Sequence, residues 1–291
     1  MQLMNDLFGG PATLALCFGL LLVAKLAKDW TTPYNIDRQL TQHDNFAVAL
    51  SVTGYFAGTV IVLLGALIGP ELPLGEDLLA IGGYGLLGIL LLNASRWVND
   101  KLILNRFCNT KELIDDRNAG TGAVEFGSYV ASGLVVAGAL HGEGSLVTAV
   151  LFFVVAQAAL IVFARVYDWL MPFDVHAEIE RDNVAAGVSF GGTLIALGII
   201  LFNGTVGNFV SWGYNLANFG LNAALGFVLL PLVRVAFDKI ILARADLNRE
   251  IRDDRNVGIG VLEMTIAISF AVLLVFTLNV EPLLQPLLVA G

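Results

Sequence analysis

Apolar runs of membrane-spanning length alternate with short polar segments along the whole chain. An α-helix needs about 20 apolar residues to cross the hydrocarbon core of a bilayer, because each residue adds about 1.5 Å. The pattern predicts an all-α, polytopic transmembrane bundle. The eight predicted spans are residues 11–28, 46–69, 78–98, 119–140, 145–166, 184–203, 208–235 and 257–280.

The distribution of positive charge predicts the orientation of this bundle. All 16 lysines and arginines fall in the segments 25–38, 96–117, 165–181 and 234–255, and the loops between these segments carry only acids. Lys and Arg accumulate in cytoplasmic loops, so we expect these four segments in the cytoplasm and both termini on the outer side. The N-terminus lacks the basic region of a signal peptide, which predicts that the first run is a true span.

Composition then narrows the classes of function. With 57% hydrophobic and 14% charged residues, the chain differs from soluble domains, which have about 25% charged residues. The net charge is −9, but the basic segments hold most of the acids too, so no nucleic-acid partner is expected. Cys17 and Cys108 lie in a span and a loop, and the three histidines are scattered. We predict no metal, cofactor or enzymatic activity, since no catalytic or nucleotide-binding motif occurs.

One polar motif occurs twice. Residues 112–125 and 250–263 match at a constant offset of 138 residues, and each copy leads into an apolar run. The shared residues are Glu112, Asp115, Asp116, Arg117, Asn118, Gly120, Gly122 and Glu125 in the first copy and Glu250, Asp253, Asp254, Arg255, Asn256, Gly258, Gly260 and Glu263 in the second. The last glutamate of each copy falls about 7–8 Å inside the membrane, so we look for the chemistry here.

The repeat covers nearly the whole chain. Loop residues recur as well: Asp44, Asn45, Arg96, Asp100 and Lys101 are matched by Asp182, Asn183, Arg234, Asp238 and Lys239. We therefore predict two four-span membrane units, residues 10–140 (unit 1) and 145–280 (unit 2), joined by a short outer turn at 141–144. Four is an even number of spans, so both units have the same orientation, and the expected symmetry axis lies along the membrane normal.

A family resemblance rests on these residues. The pattern Asp-Asn before one span and Asp-Asp-Arg-Asn-x-Gly-x-Gly-x-x-Glu before another resembles the YjfL-like (DUF350) family, and the resemblance covers both units. It implies a four-helix unit and multi-pass insertion in the bacterial inner membrane. It also implies a link to envelope stress, but no biochemical activity.

The first functional hypothesis is a small-ion or proton channel or transporter. If the motif forms one helix, Asp115, Asn118, Gly122 and Glu125 lie within about 80° of its circumference, and unit 2 presents the matching stripe. The aspartates would attract cations to an inner mouth. The intramembrane glutamates would exchange protons or bind a small cation.

The second hypothesis is a membrane scaffold or envelope-stress component whose charged motif docks a cytoplasmic protein partner. A structural interpretation of the same residues also stays open. The aspartates and asparagines would cap helices, the glutamates would form buried links to Arg96 or Arg234, and Lys101 and Lys239 would extend to the membrane surface. Glycines would let helices approach closely, within the bundle or in a homo-oligomer surrounded by membrane lipids.

Overall fold

The computed structural model of the protein describes residues 2–68, 72–141, 145–242, 245–278, 280 and 282–284, which leaves most of the predicted outer turn at 141–144 outside the described residues. All regular structure in these ranges is helical, and eight helices are long and apolar enough to span a membrane. The predicted all-α, eight-span architecture is therefore confirmed. The helices are α1 (Gln2–Thr31), α2 (Ile36–Thr41), α3 (Phe46–Leu67), α4 (Leu74–Val98), α5 (Asn109–Ile114), α6 (Ala119–Leu140), α7 (Leu146–Leu170), α8 (Val175–Glu180), α9 (Val184–Thr205), α10 (Trp212–Ala236), α11 (Leu247–Arg252) and α12 (Val257–Thr277).

The third and seventh spans extend further than predicted toward the end of the bundle that carries the lysines and arginines, here called the charged end. α4 continues into a π-helical turn, Asn99–Ile103, and α10 continues into another, Phe237–Ile241. Hydropathy alone would assign the polar residues of these two turns to loops. The backbone stays helical because apolar residues of the first turn, such as Ile103 with 1% exposure, are buried against the bundle.

Four long helices begin with the same local structure. α3, α6, α9 and α12 each have an asparagine N-cap whose side chain accepts a hydrogen bond from a backbone N–H of the first turn. The residue before each cap has a positive φ angle, which turns the chain sharply between a short helix and a long one. These residues are Asp44 (47°), Arg117 (52°), Asp182 (56°) and Arg255 (48°).

The same four helices form the core of the bundle. α3 packs on α6, α6 on α9 and α9 on α12, which places them in a row with their N-termini at the charged end. α1 and α4 flank the row in unit 1, and α10 flanks it in unit 2. Over their membrane-spanning stretches, α6 and α9 in the middle of the row are each 83% buried, whereas α12 at one end is 22% buried.

Direct backbone contact joins the two units through α6 and α9. A Cβ atom placed on Gly127 would lie 2.2 Å from the carbonyl oxygen of Gly191, and one on Gly187 would lie 2.3 Å from that of Gly120. Only glycine allows helices to approach this closely, and in lipid the close approach supplies the dispersion energy that holds them together.

Candidate functional site: two buried polar pockets

Glu125 lies buried between α6 and α3. It is 3% exposed, and its carboxylate accepts a short hydrogen bond from the Ser51 hydroxyl of α3. The two helices are close here because a Cβ atom on Gly54 would lie 2.4 Å from the Cα atom of Phe126. The carboxylate is thus held inside the apolar region by a neutral hydroxyl donor.

A lysine shares this pocket. Lys28 of α1 is 1% exposed, and its Nζ atom donates a hydrogen bond of 2.6 Å to the Tyr129 hydroxyl, one turn beyond Glu125 on α6. The same ammonium lies 4.5 Å from the ring centroid of Tyr129 and 5.2 Å from that of Tyr55. Cation–π attraction and one phenol oxygen therefore hold a charge that would be costly in lipid.

Arg96 completes the unit 1 pocket, which we define as Lys28, Ser51, Arg96, Glu125 and Tyr129. Its guanidinium donates to the backbone oxygen of Thr31 at 2.8 Å, and its Nε atom lies 3.7 Å from a carboxylate oxygen of Asp100. The arginine is therefore turned toward the charged end. Among the described residues, no cation lies within ion-pair distance (4 Å) of the Glu125 carboxylate.

The unit 2 pocket has the same scaffold and different partners. Tyr167 stands in the place of Lys28, and its hydroxyl lies 3.1 Å from that of Ser189, the counterpart of Ser51. Glu263, 3% exposed, makes a direct ion pair with Arg234, whose Nε atom lies 2.6 Å from the carboxylate. A cavity of about 10 Å³ lies beside this pair. The predicted glutamate–arginine link is therefore present in unit 2.

The doubled motif is not one helix. α5 ends at Ile114 and α6 begins at Ala119, with Arg117 at a positive φ between them, so the predicted continuous stripe from Asp115 to Glu125 does not form. The physical reason is the N-cap of α6, which is Asn118. Its side chain also donates to Glu112 of α5 at 2.8 Å, and this bond forms only where the chain turns between the two helices. Burial raises the pKa of the Glu112 carboxyl, and the bond from Asn118 offsets part of this rise.

The charged residues of the motif lie outside the pockets. Asp115, Asp116 and Arg117 are exposed at the charged end, and so are their counterparts Asp253, Asp254 and Arg255. Several of them pair with neighbours in sequence: Asp116 with Lys111, Asp253 with Arg252 at 2.7 Å, and Asp254 with Arg249 at 3.7 Å. The geometry places these aspartates in surface ion pairs and separates them from the buried glutamates.

The remaining predicted residues have structural contacts. Asn45 and Asn183 cap helices, Asn256 donates to Glu250 at 2.9 Å, and Asp182 accepts from the Ala119 N–H at 2.9 Å. A Cβ atom on Gly120, Gly122 or Gly260 would lie 3.0, 2.5 or 2.6 Å from a carbonyl oxygen of a neighbouring helix, whereas one on Gly258 would meet only the Asn256 side chain. Lys101 is exposed, Asp100 accepts from Asn109 at 2.9 Å, and Lys239 pairs with Asp238 at 2.8 Å.

A third polar cluster joins the units at the charged end. Arg106 of unit 1 donates to Asp174 at 2.6 Å and to Asp168 at 3.0 Å, and His176 lies 3.3 Å from Asp168. Candidate ligand atoms of the last three residues lie within 4.8 Å of one another. The guanidinium bonds to both carboxylates, so we interpret the cluster as an inter-unit ion-pair network. The backbone N–H of Ala177 and then Arg106 lower the pKa of Asp174.

Sequence reasoning missed the partners that distinguish the pockets. Lys28 and Tyr167 are counterparts in the repeat but differ in type, so comparison of the two halves did not select them. A lysine near the end of an apolar run is normally a surface residue. The available signal was Tyr129, which lies four residues after Glu125 and therefore on the same helix face.

Fold and pockets together define a class: a multi-pass helical membrane protein of two homologous four-span units, each with a buried glutamate. A family model described as Domain of Unknown Function (DUF350) matches the chain twice, over residues 2–140 and 143–278. The protein belongs to the DUF350 family, as the motif predicted.

Comparison with curated proteins gives the same class. The chain is 21% identical over 247 residues to a UPF0719 transmembrane protein of Aquifex aeolicus (strain VF5). This match covers 82% of the chain and 89% of the relative. No solved structure matches the chain at a significant level.

Proposed function

We propose that the protein moves protons across the membrane, with Glu125 as the group that gains and loses the proton. Glu263 supports the same path from its ion pair with Arg234. The proposal requires no cofactor and no catalytic step. A small cation is the second choice of cargo.

The observation that carries the proposal is the arrangement of Glu125. It is a buried carboxylate bonded to a neutral hydroxyl, in one pocket with a buried lysine that is bonded to a phenol. Ionisable groups inside a membrane are costly, and buried acidic side chains there mark ion pathways and proton relays. A purely structural link would be expected to look like the unit 2 pair, in which carboxylate and guanidinium touch.

The small space beside Glu263, the counterpart of Glu125, favours a proton over a larger ion. The cavity beside Glu263 has a volume of about 10 Å³, which is room for about one water molecule. A hydrated cation needs several water molecules around it. Hydroxyl groups such as those of Ser51, Tyr129 and Tyr167 can pass a proton without an open pore.

The direction of the path follows from charge. Since Lys and Arg mark the cytoplasmic side, we place the charged end in the cytoplasm of a bacterial cell and both termini outside the inner membrane. The unit 1 pocket is then closer to the cytoplasmic side of the membrane than to the outer side, because Arg96 and Asp100 connect it to the charged end. Protons would enter or leave Glu125 from that side.

Proton flux into proteoliposomes tests the proposal. The variants are the double change Glu125→Gln/Glu263→Gln and, as a matched control, Glu180→Gln, an exposed glutamate at the charged end. We expect flux from the wild type and the control under an imposed potential, and background flux from the double variant. No proton flux from well-inserted wild type would overturn the proposal, and flux of a cation instead would select the second cargo.

The exposed motif turns favour a second candidate, a scaffold that docks a cytoplasmic protein. Arg117 and Arg255 are exposed at the charged end on the two copies of one turn, where a partner would bind both. In this case Arg117→Glu would abolish capture of a partner by the purified protein, and Glu125→Gln would not. The opposite pattern supports proton movement.

A further inference from the structure

We propose that copies of this chain associate head to tail in the membrane, with α12 of one copy packing on α3 of the next. The occupant of both faces is a second copy of the same chain. This inference does not depend on the proposed function.

The contact between the units supplies the template. By the repeat, α3 corresponds to α9 and α6 corresponds to α12. The α6–α9 contact that joins the units is therefore the contact that α12 would make with α3 of another copy. The two helices at the ends of the row α3–α6–α9–α12 carry the two faces of this contact, one on α3 and one on α12.

The matching faces are buried inside the chain and free at its ends. The α6 residues that touch α9 include Ala123, Gly127, Ala131 and Gly138, all buried. Their counterparts on α12 are Val261, Thr265, Ser269 and Phe276, all exposed. The α9 residues of the contact include Gly191, Gly198, Phe202 and Thr205, and their counterparts on α3 are Thr53, Val60, Leu64 and Leu67, all exposed. The counterpart of Gly187, which also takes part in the contact, is Ala49, which is partly buried.

Hydrogen bonds at the charged end repeat from one core helix to the next in the same way. Contact with lipid alone does not explain this repetition. Three of the four asparagine caps donate to a backbone oxygen of the short helix that precedes the next core helix in the row. These bonds run from Asn45 to Leu113 at 2.8 Å, from Asn118 to Ile179 at 2.6 Å and from Asn183 to Ile251 at 2.8 Å. The first three caps are at most 1% exposed. The fourth, Asn256, is exposed, and its side chain donates to Glu250 of its own turn. Within the described part of the chain, it donates to no neighbouring short helix.

A second bond is repeated in the same way. Asp182 of unit 2 accepts from the Ala119 N–H of unit 1 at 2.9 Å. The counterpart pair is Asp44, exposed at one end of the row, and the Val257 N–H at the other. A neighbouring copy would thus bring Asp44 to Val257, and the backbone oxygen of Leu40 to Asn256.

Side-chain size predicts that this contact is looser than the internal one. The glycine pair Gly127–Gly191 becomes Thr265 and Thr53, so the backbones cannot touch and the helices stand about 8–10 Å apart. All copies share one orientation in the bilayer, so the repeated step is a rotation about the membrane normal. Such a head-to-tail contact closes into a ring or extends as a row.

Cysteine cross-linking in native membranes tests the proposal. In a background with Cys17→Ser and Cys108→Ser, the pair Thr53→Cys/Thr265→Cys should give covalent dimers and a ladder of larger products. Each single variant should give none alone, and the two single variants expressed together should give dimers only. The matched control pair is Leu90→Cys/Thr265→Cys, which places the first cysteine on the exposed face of α4.

The outcomes are distinct. Cross-linking of Thr265→Cys alone would indicate a two-fold α12–α12 contact and overturn the proposal. Equal yields from the test and control pairs, or no product from the test pair, would show faces covered by lipid only. Adding Asn256→Ala should lower the association constant about fivefold, the effect of one lost hydrogen bond, and an unchanged constant would contradict the assigned polar contact.

Discussion

Glu125 and Glu263 occupy the same position in the two units, but their surroundings differ. In unit 2 the carboxylate meets Arg234 at 2.6 Å, while in unit 1 the corresponding Arg96 bonds to backbone and to Asp100, and the carboxylate meets a serine hydroxyl. One glutamate is thus locked in an ion pair, and the other is held by a neutral donor. Duplication has left one scaffold with two electrostatic states.

A single position accounts for much of the difference. Lys28 in unit 1 brings a second cation into the pocket, and the counterpart Tyr167 in unit 2 brings none. With two cations in unit 1, Arg96 can bond to groups at the charged end. Lys28 then offsets the charge of the Glu125 carboxylate without direct contact. With one cation present, the arginine must pair with the carboxylate directly, because an unpaired buried charge is costly.

The largest expected effect comes from breaking the unit 2 pair. Arg234→Leu leaves Glu263 buried without a partner and should destabilise the protein by about 3–5 kcal/mol, as seen for buried ion pairs. Thermal unfolding in detergent measures this change. The double variant Arg234→Leu/Glu263→Leu should recover most of the loss, and an exposed control, Arg38→Leu, should have little effect. A double variant as unstable as the single one would contradict a paired charge.

Glycine substitutions should affect stability differently in α6, inside the row of core helices, and in α12, at the end of the row. Gly122→Ala would place a Cβ atom 2.5 Å from the Ala47 carbonyl oxygen and should cost about 1–3 kcal/mol through overpacking. Gly258→Ala meets only its own cap and should stabilise α12 by up to about 1 kcal/mol in monomeric, detergent-solubilised protein. Equal losses in the two variants would show that α12 is packed as tightly as α6.

The asparagine caps give a smaller contrast of the same kind. Asn118→Ala loses the cap, a bond to Glu112 and a bond to the other unit, and should cost about 2 kcal/mol. Asn256→Ala loses an exposed cap and should cost about 0.5–1 kcal/mol. Unfolding of the two variants in detergent tests the difference. A larger loss for Asn256→Ala would place that residue, and not Asn118, at a buried joint.

The smallest effect is the pH dependence of one helix cap, which is an aspartate in unit 2 and an asparagine in unit 1. Asp174 caps α8 and Asn35 caps its counterpart α2. The pKa of Asp174 is lowered on folding, so its stabilisation is present above the ordinary pKa and is lost as pH falls through the lowered value. Since this side chain is half exposed, the stability difference between wild type and Asp174→Asn should shrink by less than about 1 kcal/mol between neutral pH and about pH 3. A difference that is constant over this range would contradict the assigned shift.

The sequence predicted the architecture better than the site. Eight apolar runs and the charge pattern were sufficient for the spans, because membrane insertion depends on length and hydrophobicity. The hypothesis that the motif forms one helix was wrong, since helical periodicity does not reveal a residue at positive φ such as Arg117. The bond from Asn118 to Glu112 that accompanies this turn joins residues six apart, which one continuous helix would not bring together.

The members of the pockets were harder still to predict. Glu125 and Arg96 recur in the repeat as Glu263 and Arg234, so the comparison of the two halves pointed to them. Lys28 breaks the repeat and lies in a different span, and nothing local indicates that α1 turns it inward. Divergence between the two units gives the pockets their different chemistry. It also removed the sequence match that would have pointed to Lys28.

Proton flux from the two single glutamate variants tests the central claim, that the carboxylates have separate roles. The measurement compares Glu125→Gln with Glu263→Gln in proteoliposomes, alongside thermal unfolding of the same samples. We expect Glu125→Gln to reduce flux to background with stability near that of the wild type, and Glu263→Gln to lower stability while some flux remains. Loss of flux in Glu263→Gln alone, or the same response in both variants, would contradict the account.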